Sequence, residues 1–194
     1  THQPIEQLAM LRSIPNTLVF RPCDDKEVFA SYKIALESTK SPSCIILSRQ
    51  NLPILENSSS YEGVKNGAYI VSKEEKEPDV VLIGTGSEVS LCLEAKELLK
   101  DELDIRVVSM PCFELFDSTS KEYKESVLTK SYNRRISVEM ASTFGWGKYA
   151  RFNFGIDRFG ASGKASDVVK KYHFTANDLK EYILSCVKEL KEEN

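Results

Sequence analysis

Two side chains stand out for the chemistry they could carry. The chain has only two histidines, His2 and His173, so a site that needs three histidines cannot be built from it alone. His2 lies in the run THQP, just ahead of the first apolar helical pattern. An imidazole there either caps a helix entry or, with an ordinary pKa of about 6.5, shares a proton at neutral pH. Arg49 follows the apolar run CIIL and one serine. That sets a fixed cation at the carboxyl end of an expected parallel strand, where open α/β sheets bind ligands. Its planar fork suits bidentate phosphate recognition, and Gln50 and Asn51 add amide donors and acceptors beside it. The alternative for Arg49 is a surface ion pair.

Two glycine-rich runs invite a phosphate reading. LIGTGSEV (82–89) places two glycines between a strand pattern and a helix pattern, where backbone N–H groups can hold an anion. A dinucleotide fingerprint needs a third glycine at position 89, which is Val89. The run is expected to be a tight strand-to-helix turn, capped by Ser87, with open space in front of it. RFGASGKAS (158–166) resembles a P-loop, but Arg158 stands where the first glycine belongs and Ala165 where the hydroxyl belongs. A glycine-rich loop running into a helix is expected there, with anion binding by Lys164 as the alternative.

The elements that must position these residues follow from composition and pattern. The chain has 194 residues, 41% hydrophobic and 28% charged, enough to bury a core and too apolar for a disordered tail. Lys plus Arg number 26 against 29 Asp plus Glu, and a formal charge of −3 gives no general attraction to nucleic acid or anionic lipid. No apolar run approaches the roughly 20 residues of a bilayer span. Five cysteines, Cys23, Cys44, Cys92, Cys112 and Cys186, stand far apart without a CxxC pair. They read as reduced, buried small hydrophobes in a reducing, cytoplasmic compartment. The start has no Met and opens at a helix entry, which reads as a fragment.

Thr1 or Gln3 is expected to cap a first helix with Pro4 in its first turn and Ile5, Leu8 and Ala9 on its apolar stripe; Arg12 interrupts that stripe, and the helix ends near Pro15. TLVF (17–20) reads as a strand. A helix capped by Asp24 or Asp25 runs to about Ser38 and buries Val28, Phe29, Tyr32 and Ala35. Cys44 to Leu47 form a strand buried on both faces, which completes a βαβ crossover. The serine triplet in ILENSSSYEGV (54–64) marks a boundary. Beyond it AYIV (68–71), VVLIG (80–84), IRVVSM (105–110) and RISVEM (135–140) read as strands. Ser87 to about Asp101, 120–128 and about Ala176 to Lys191 read as helices, the last burying Leu179, Tyr182, Ile183, Cys186, Val187 and Leu190. The fold class is therefore α/β: the end of one parallel-sheet βαβ domain, then a small three-layer α/β domain whose mostly parallel mixed sheet includes VVLIG, IRVVSM and RISVEM.

Taken together, THQPIEQLAMLRSIPN (1–16), FRPCD (20–24), ILSRQNLP (46–53), GTGSEV (84–89), VVSMPCFELFD (107–117), ESVL (125–128) and FGASGK resemble consecutive blocks of the transketolases. The THQPxE, RPCD and SRQNLP blocks set this family apart from sister thiamine-diphosphate enzymes. The resemblance implies that 1–53 are the end of a pyrimidine-binding domain, 54–65 a linker and 66–194 the C-terminal domain. It also implies transfer of a two-carbon ketol unit between sugar phosphates by a homodimer that uses thiamine diphosphate and Mg²⁺. By that resemblance His2 is a catalytic residue that bonds donor-sugar hydroxyls, and Arg49 binds the substrate phosphate. The groups that hold the cofactor and metal belong to parts of the family's fold outside this sequence, so no cofactor-binding or metal residue is assigned. The chain alone is expected to be inactive; the alternative is a non-catalytic C-terminal module for dimer contact or regulation.

Overall fold

The computed structural model describes residues 3–59 and 61–193. The amino-terminal piece consists of α1 (Gln7–Arg12), β1 (Leu18–Phe20), α2 (Asp25–Glu37) and β2 (Ser43–Ile45). β1 and β2 pair in parallel, with Val19 opposite Cys44, so the expected βαβ crossover is present. Asp24 caps α2 by accepting the Glu27 N–H at 3.0 Å.

Three expectations for this piece are corrected. α1 starts at Gln7, with Glu6 rather than Thr1 or Gln3 at its N-cap position, because the Ile5 carbonyl bonds outward to the Ser142 N–H (3.1 Å) and leaves the helical ladder. α2 buries Glu27, Ala30, Ser31 and Ile34, while Phe29 and Tyr32 are 65% and 51% exposed. The polar side of this helix faces inward because Glu27 finds three hydrogen-bond donors there. β2 is half-buried rather than enclosed, since β1 is its only strand neighbour among the described residues.

The boundary stretch contains a short helix, α3 (Glu62–Lys65). Beyond it lie β3 (Tyr69–Ser72), β4 (Val80–Gly84), α4 (Glu88–Leu98), β5 (Ile105–Ser109), α5 (Phe113–Ser118), α6 (Lys121–Leu128), β6 (Arg135–Val138), β7 (Phe152–Phe154), α7 (Ala165–Lys171) and α8 (Ala176–Glu192). The sheet order is β3-β5-β4-β6-β7, antiparallel only between β3 and β5. VVLIG, IRVVSM and RISVEM thus share one sheet in parallel, as their separation by helices requires. β4 is its centre, buried at all five positions. Alternate residues serve the two faces: Val80 and Leu82 pack with Cys92 and Ala95 of α4 and Leu179 and Ile183 of α8. Val81 and Ile83 meet Phe113, Phe116, Leu128 and Trp146 on the other side. The result is three layers. α8 begins in a capping box, with Thr175 and Asp178 satisfying each other's backbone N–H. Of its predicted core residues, Leu179, Ile183 and Cys186 are buried, while Tyr182, Val187 and Leu190 are half-buried. All five cysteines are free; Cys44 is half-buried and the others are buried. Among the described residues no helix is long and apolar enough to cross a membrane.

The amino-terminal piece is fastened to the larger sheet by charge. Glu139, directly after β6 and 2% exposed, accepts both guanidinium N–H groups of Arg12 at 2.7 and 2.9 Å. It also accepts the Thr85 hydroxyl at 2.5 Å and the Trp146 indole N–H at 2.9 Å. Arg21 stands 3.8 Å from the same carboxylate and pairs with the buried Glu88, whose oxygen also accepts the Met140 N–H at 3.0 Å. The Arg12 guanidinium lies 3.8 Å above the Phe113 ring. Burial pushes the Glu139 pKa up, but the charge and hydrogen bonds of Arg12, the charge of Arg21 and the Thr85 hydroxyl outweigh it and hold it down to about 2.

A carboxylate depressed in this way contributes stability above its unfolded pKa, and that contribution is lost as pH falls toward its folded value. Glu139→Gln should cost about 3–5 kcal/mol at neutral pH, because Arg12 loses its buried counter-charge. Between pH ~5 and ~2 the variant should lose less stability than the parent in urea titrations; parallel pH curves would refute the assignment. On the other side of the sheet, Ile183→Ala should cost about 2–5 kcal/mol by the same titration.

Candidate functional site at the carboxyl end of the first parallel pair

Of the two residues singled out by sequence, Arg49 is placed by the structure and His2 lies outside the described residues. Arg49 follows β2 in the loop at its carboxyl end and is exposed. It makes no hydrogen bond or ion pair with any described residue, so the surface ion pair considered for it is not formed. Beside it opens a cleft of about 250 Å³, lined by Ser48, Gln50 and Asn51 and by Asp24 and Asp25 at the start of α2. The two predicted amides therefore do share one concavity. The backbone here is well defined: the ladder between the strands continues past β2 through the Ile46 N–H to the Phe20 carbonyl at 2.8 Å.

The segment next to His2 is held by the larger domain. The Gln3 side-chain amide donates to the Ser162 hydroxyl. Ile5 packs partly buried against the core on the α4–α8 side. Thus loops that follow β6 and β7 hold the residues adjoining the first candidate.

The glycine turn after β4 departs from expectation in one respect. It does pass from strand to helix, with Gly86 at φ +53°, a conformation that favours glycine. Yet Ser87 does not cap α4; its hydroxyl donates to the Glu88 carboxylate at 2.6 Å. Nor is the space in front open. Arg21 fills it, donating to the Thr85 carbonyl at 2.8 Å, and a Cβ on Gly86 would stand 2.9 Å from its guanidinium carbon. The FGASGK run behaves as expected, a loop entering α7 at Ala165. His173, at φ +54°, is a surface residue 3.6 Å from Asp178.

Sequence reasoning missed the buried acids. Glu27 is fully buried and accepts the Tyr69 hydroxyl (2.7 Å), the Ser109 hydroxyl (2.6 Å) and the Cys23 N–H (2.7 Å). Burial raises its pKa, and these hydrogen bonds only partly oppose that. The Cys23 thiol is pushed up by burial and by the Glu27 and Asp24 charges, which makes it inert as a nucleophile. One signal was available. Arg12 sits on an apolar helical stripe, and a cation there implies a buried acid opposite.

Comparison with known proteins puts a family to this geometry. Residues 67–175 match the model of the transketolase-like C-terminal domain, and residues 1–54 that of the transketolase pyrimidine-binding domain. The transketolase of Bacillus subtilis is 46% identical over 182 residues, covering 90% of this chain and 27% of its own length. Transketolase 1 of Candida albicans is 49% identical over 189 residues, covering 97% of this chain and 28% of its own. The structure of a Pichia stipitis transketolase in complex with sedoheptulose 7-phosphate superimposes with a TM-score of 0.93 at 44% identity, over 98% of this chain and 28% of that one. This chain therefore spans little more than a quarter of the length of these relatives. With the two models matching residues 1–54 and 67–175, and the fold agreeing over 98% of the chain, the chain belongs to the transketolase family.

Proposed function

We propose that this chain is the carboxyl-terminal part of a cytoplasmic, homodimeric enzyme that moves a two-carbon ketol unit from a ketose phosphate to an aldose phosphate. Residues 1–53 serve as the end of its pyrimidine-binding domain, 54–65 as a linker and 66–194 as its C-terminal domain. The observation that carries this reading is Arg49, paired with no described residue, in the loop at the carboxyl end of a parallel strand pair, next in sequence to Gln50 and Asn51, which line a cleft there. The Pichia stipitis relative, crystallised with sedoheptulose 7-phosphate, supports a phosphorylated sugar as the ligand.

In this reading Arg49 clamps the terminal phosphate of the sugar through two parallel N–H bonds. It keeps its charge at every working pH. His2 bonds the sugar hydroxyls near the reacting carbon and holds or releases a proton there, as an imidazole titrating near neutrality can. Thiamine diphosphate with Mg²⁺, held by other parts of the enzyme, would supply the carbanion chemistry. The residues present here do not fit a diphosphate–metal group. Among the described residues no three His, Cys, Asp or Glu side chains gather as metal ligands, and the glycine turn that could cradle a diphosphate is filled by Arg21. The chain alone is accordingly inactive in this reading.

In the full-length enzyme Arg49→Ala should lose a charge-assisted contact worth roughly 1.5–3 kcal/mol, about one to two orders of magnitude in affinity. The loss should fall mainly on KM for phosphorylated sugars, because a contact equal in ground and transition states leaves the barrier unchanged. Arg49→Lys should recover part of it. With hydroxypyruvate as donor and glycolaldehyde as acceptor the variant should be nearly unimpaired. An equal loss for phosphorylated and phosphate-free substrates would remove the phosphate assignment.

A further inference from the structure

Arg49 is carried by a loop that is tied down only at its ends. From Leu47 to Ile54 no residue makes a hydrogen bond with a described partner, and the last tie before this stretch is the Ile46 N–H to the Phe20 carbonyl at 2.8 Å. The first tie after it is at Leu55, and the start of α2 supplies it. The Leu55 N–H donates to Asp24 Oδ2 at 3.1 Å, and the Leu55 carbonyl accepts from the Lys26 ammonium at 2.8 Å. Lys26 reaches the Glu56 carbonyl as well, at 3.1 Å, and the Ser58 hydroxyl donates to the same Asp24 oxygen. The Leu55 side chain is buried in the cluster that holds Phe20, Cys23 and Ala30. Asp24 is itself only 4% exposed, and its other oxygen, Oδ1, accepts the Glu27 N–H at 3.0 Å. One oxygen thus serves the helix and the other the loop. A carboxylate placed in this way joins two segments of the chain and has nothing left to offer a substrate.

We infer that Asp24 is a positioning residue for phosphate binding: by tying Leu55 to the start of α2 it closes the loop that carries Arg49 and fixes where that guanidinium stands. This rests on the reading of Arg49 given above. Two features make the tie effective. Ser48 and Gln50, on either side of Arg49, line the cleft together with Pro22, Asp24 and Val28, so the loop lies against the same helix start that holds its end. Pro53 locks its own φ and biases Leu52 toward extended backbone, which leaves the return leg from Asn51 to Leu55 short and stiff. A guanidinium fixed before the sugar arrives spares binding the cost of ordering the loop. Asp24 acts on that cost alone, so its effect belongs in affinity and not in the barrier to the chemical step.

The test is a double-mutant cycle in the full-length holoenzyme, with wild type, Asp24→Asn, Arg49→Ala and the double variant assayed on an aldose phosphate acceptor. Asparagine caps a helix as well as aspartate does, so Asp24→Asn keeps α2 and turns an amide N–H₂ toward the Leu55 N–H, which then lacks its acceptor. KM for the aldose phosphate should rise roughly 10-fold with kcat nearly unchanged. In the Arg49→Ala background the same substitution should raise KM by less than about twofold, because no guanidinium is left to place. A rise of equal size in both backgrounds, no rise in either, or a loss confined to kcat would overturn the inference. A structural role alone would give the first of these. If Asp24→Asn does not fold, Lys26→Met, which removes the donor to the Leu55 and Glu56 carbonyls and leaves the helix cap in place, enters the same cycle and is judged in the same way. An Arg49→Ala enzyme whose KM for the aldose phosphate equals that of wild type would instead remove the phosphate reading of Arg49, and the inference with it.

Discussion

The pairing of Glu139 with Arg12, seconded by Arg21, is the interaction on which the relation of the two halves depends. The amino-terminal strand pair and α2 share an apolar cluster with β3 and α4. Hydrophobic contact would supply attraction but little register, whereas a carboxylate that accepts two arginine N–H groups, a hydroxyl and an indole N–H allows one arrangement only. Such a site is costly if any member is lost, since the remaining charge stays buried without a partner. The segment beside His2 inherits its position from this anchor and from the loops flanking it.

The second buried acid follows a different electrostatic logic. Glu139 faces cations and stays ionised, while Glu27 accepts only from neutral donors among the described residues, so burial drives it toward the protonated form. Glu27 nonetheless joins the halves, receiving hydroxyls from β3 and β5 onto α2. The same interface therefore combines a charged clasp and an uncharged one, both buried. Their contributions to stability change in opposite directions with pH: the Glu139 contribution fades in acid, and the Glu27 contribution fades as pH rises.

Much of the fold was legible because parallel strands buried on both faces write themselves as unbroken apolar runs, as in VVLIG and IRVVSM. α5 and β7 were not, since FELFDS and FNF are too short and too aromatic for either period to register. The face of α2 was misread for a physical reason: periodicity locates a stripe, but which side turns inward depends on what waits opposite, and Glu27 outbids Phe29 once three donors are there. Arg49 drew attention because a cation directly after an apolar run is locally anomalous. Glu139 could not, because its meaning lies in Arg12, 127 residues away. Recognition of the family came from blocks such as THQPIE and SRQNLP, which carry information that no period contains.

That separation of 127 residues also has a temporal side. A ribosome adds roughly 5–20 residues per second, so a newly made Arg12 waits on the order of ten seconds before Glu139 exists. During that interval α1, β1 and α2 have emerged but lack Glu139, Cys112 and Ser109, the groups that Arg12, Phe20 and Glu27 meet in the fold. The contact between the two halves thus closes only after 127 further residues have been made. Its completion is timed by the arrival of β6.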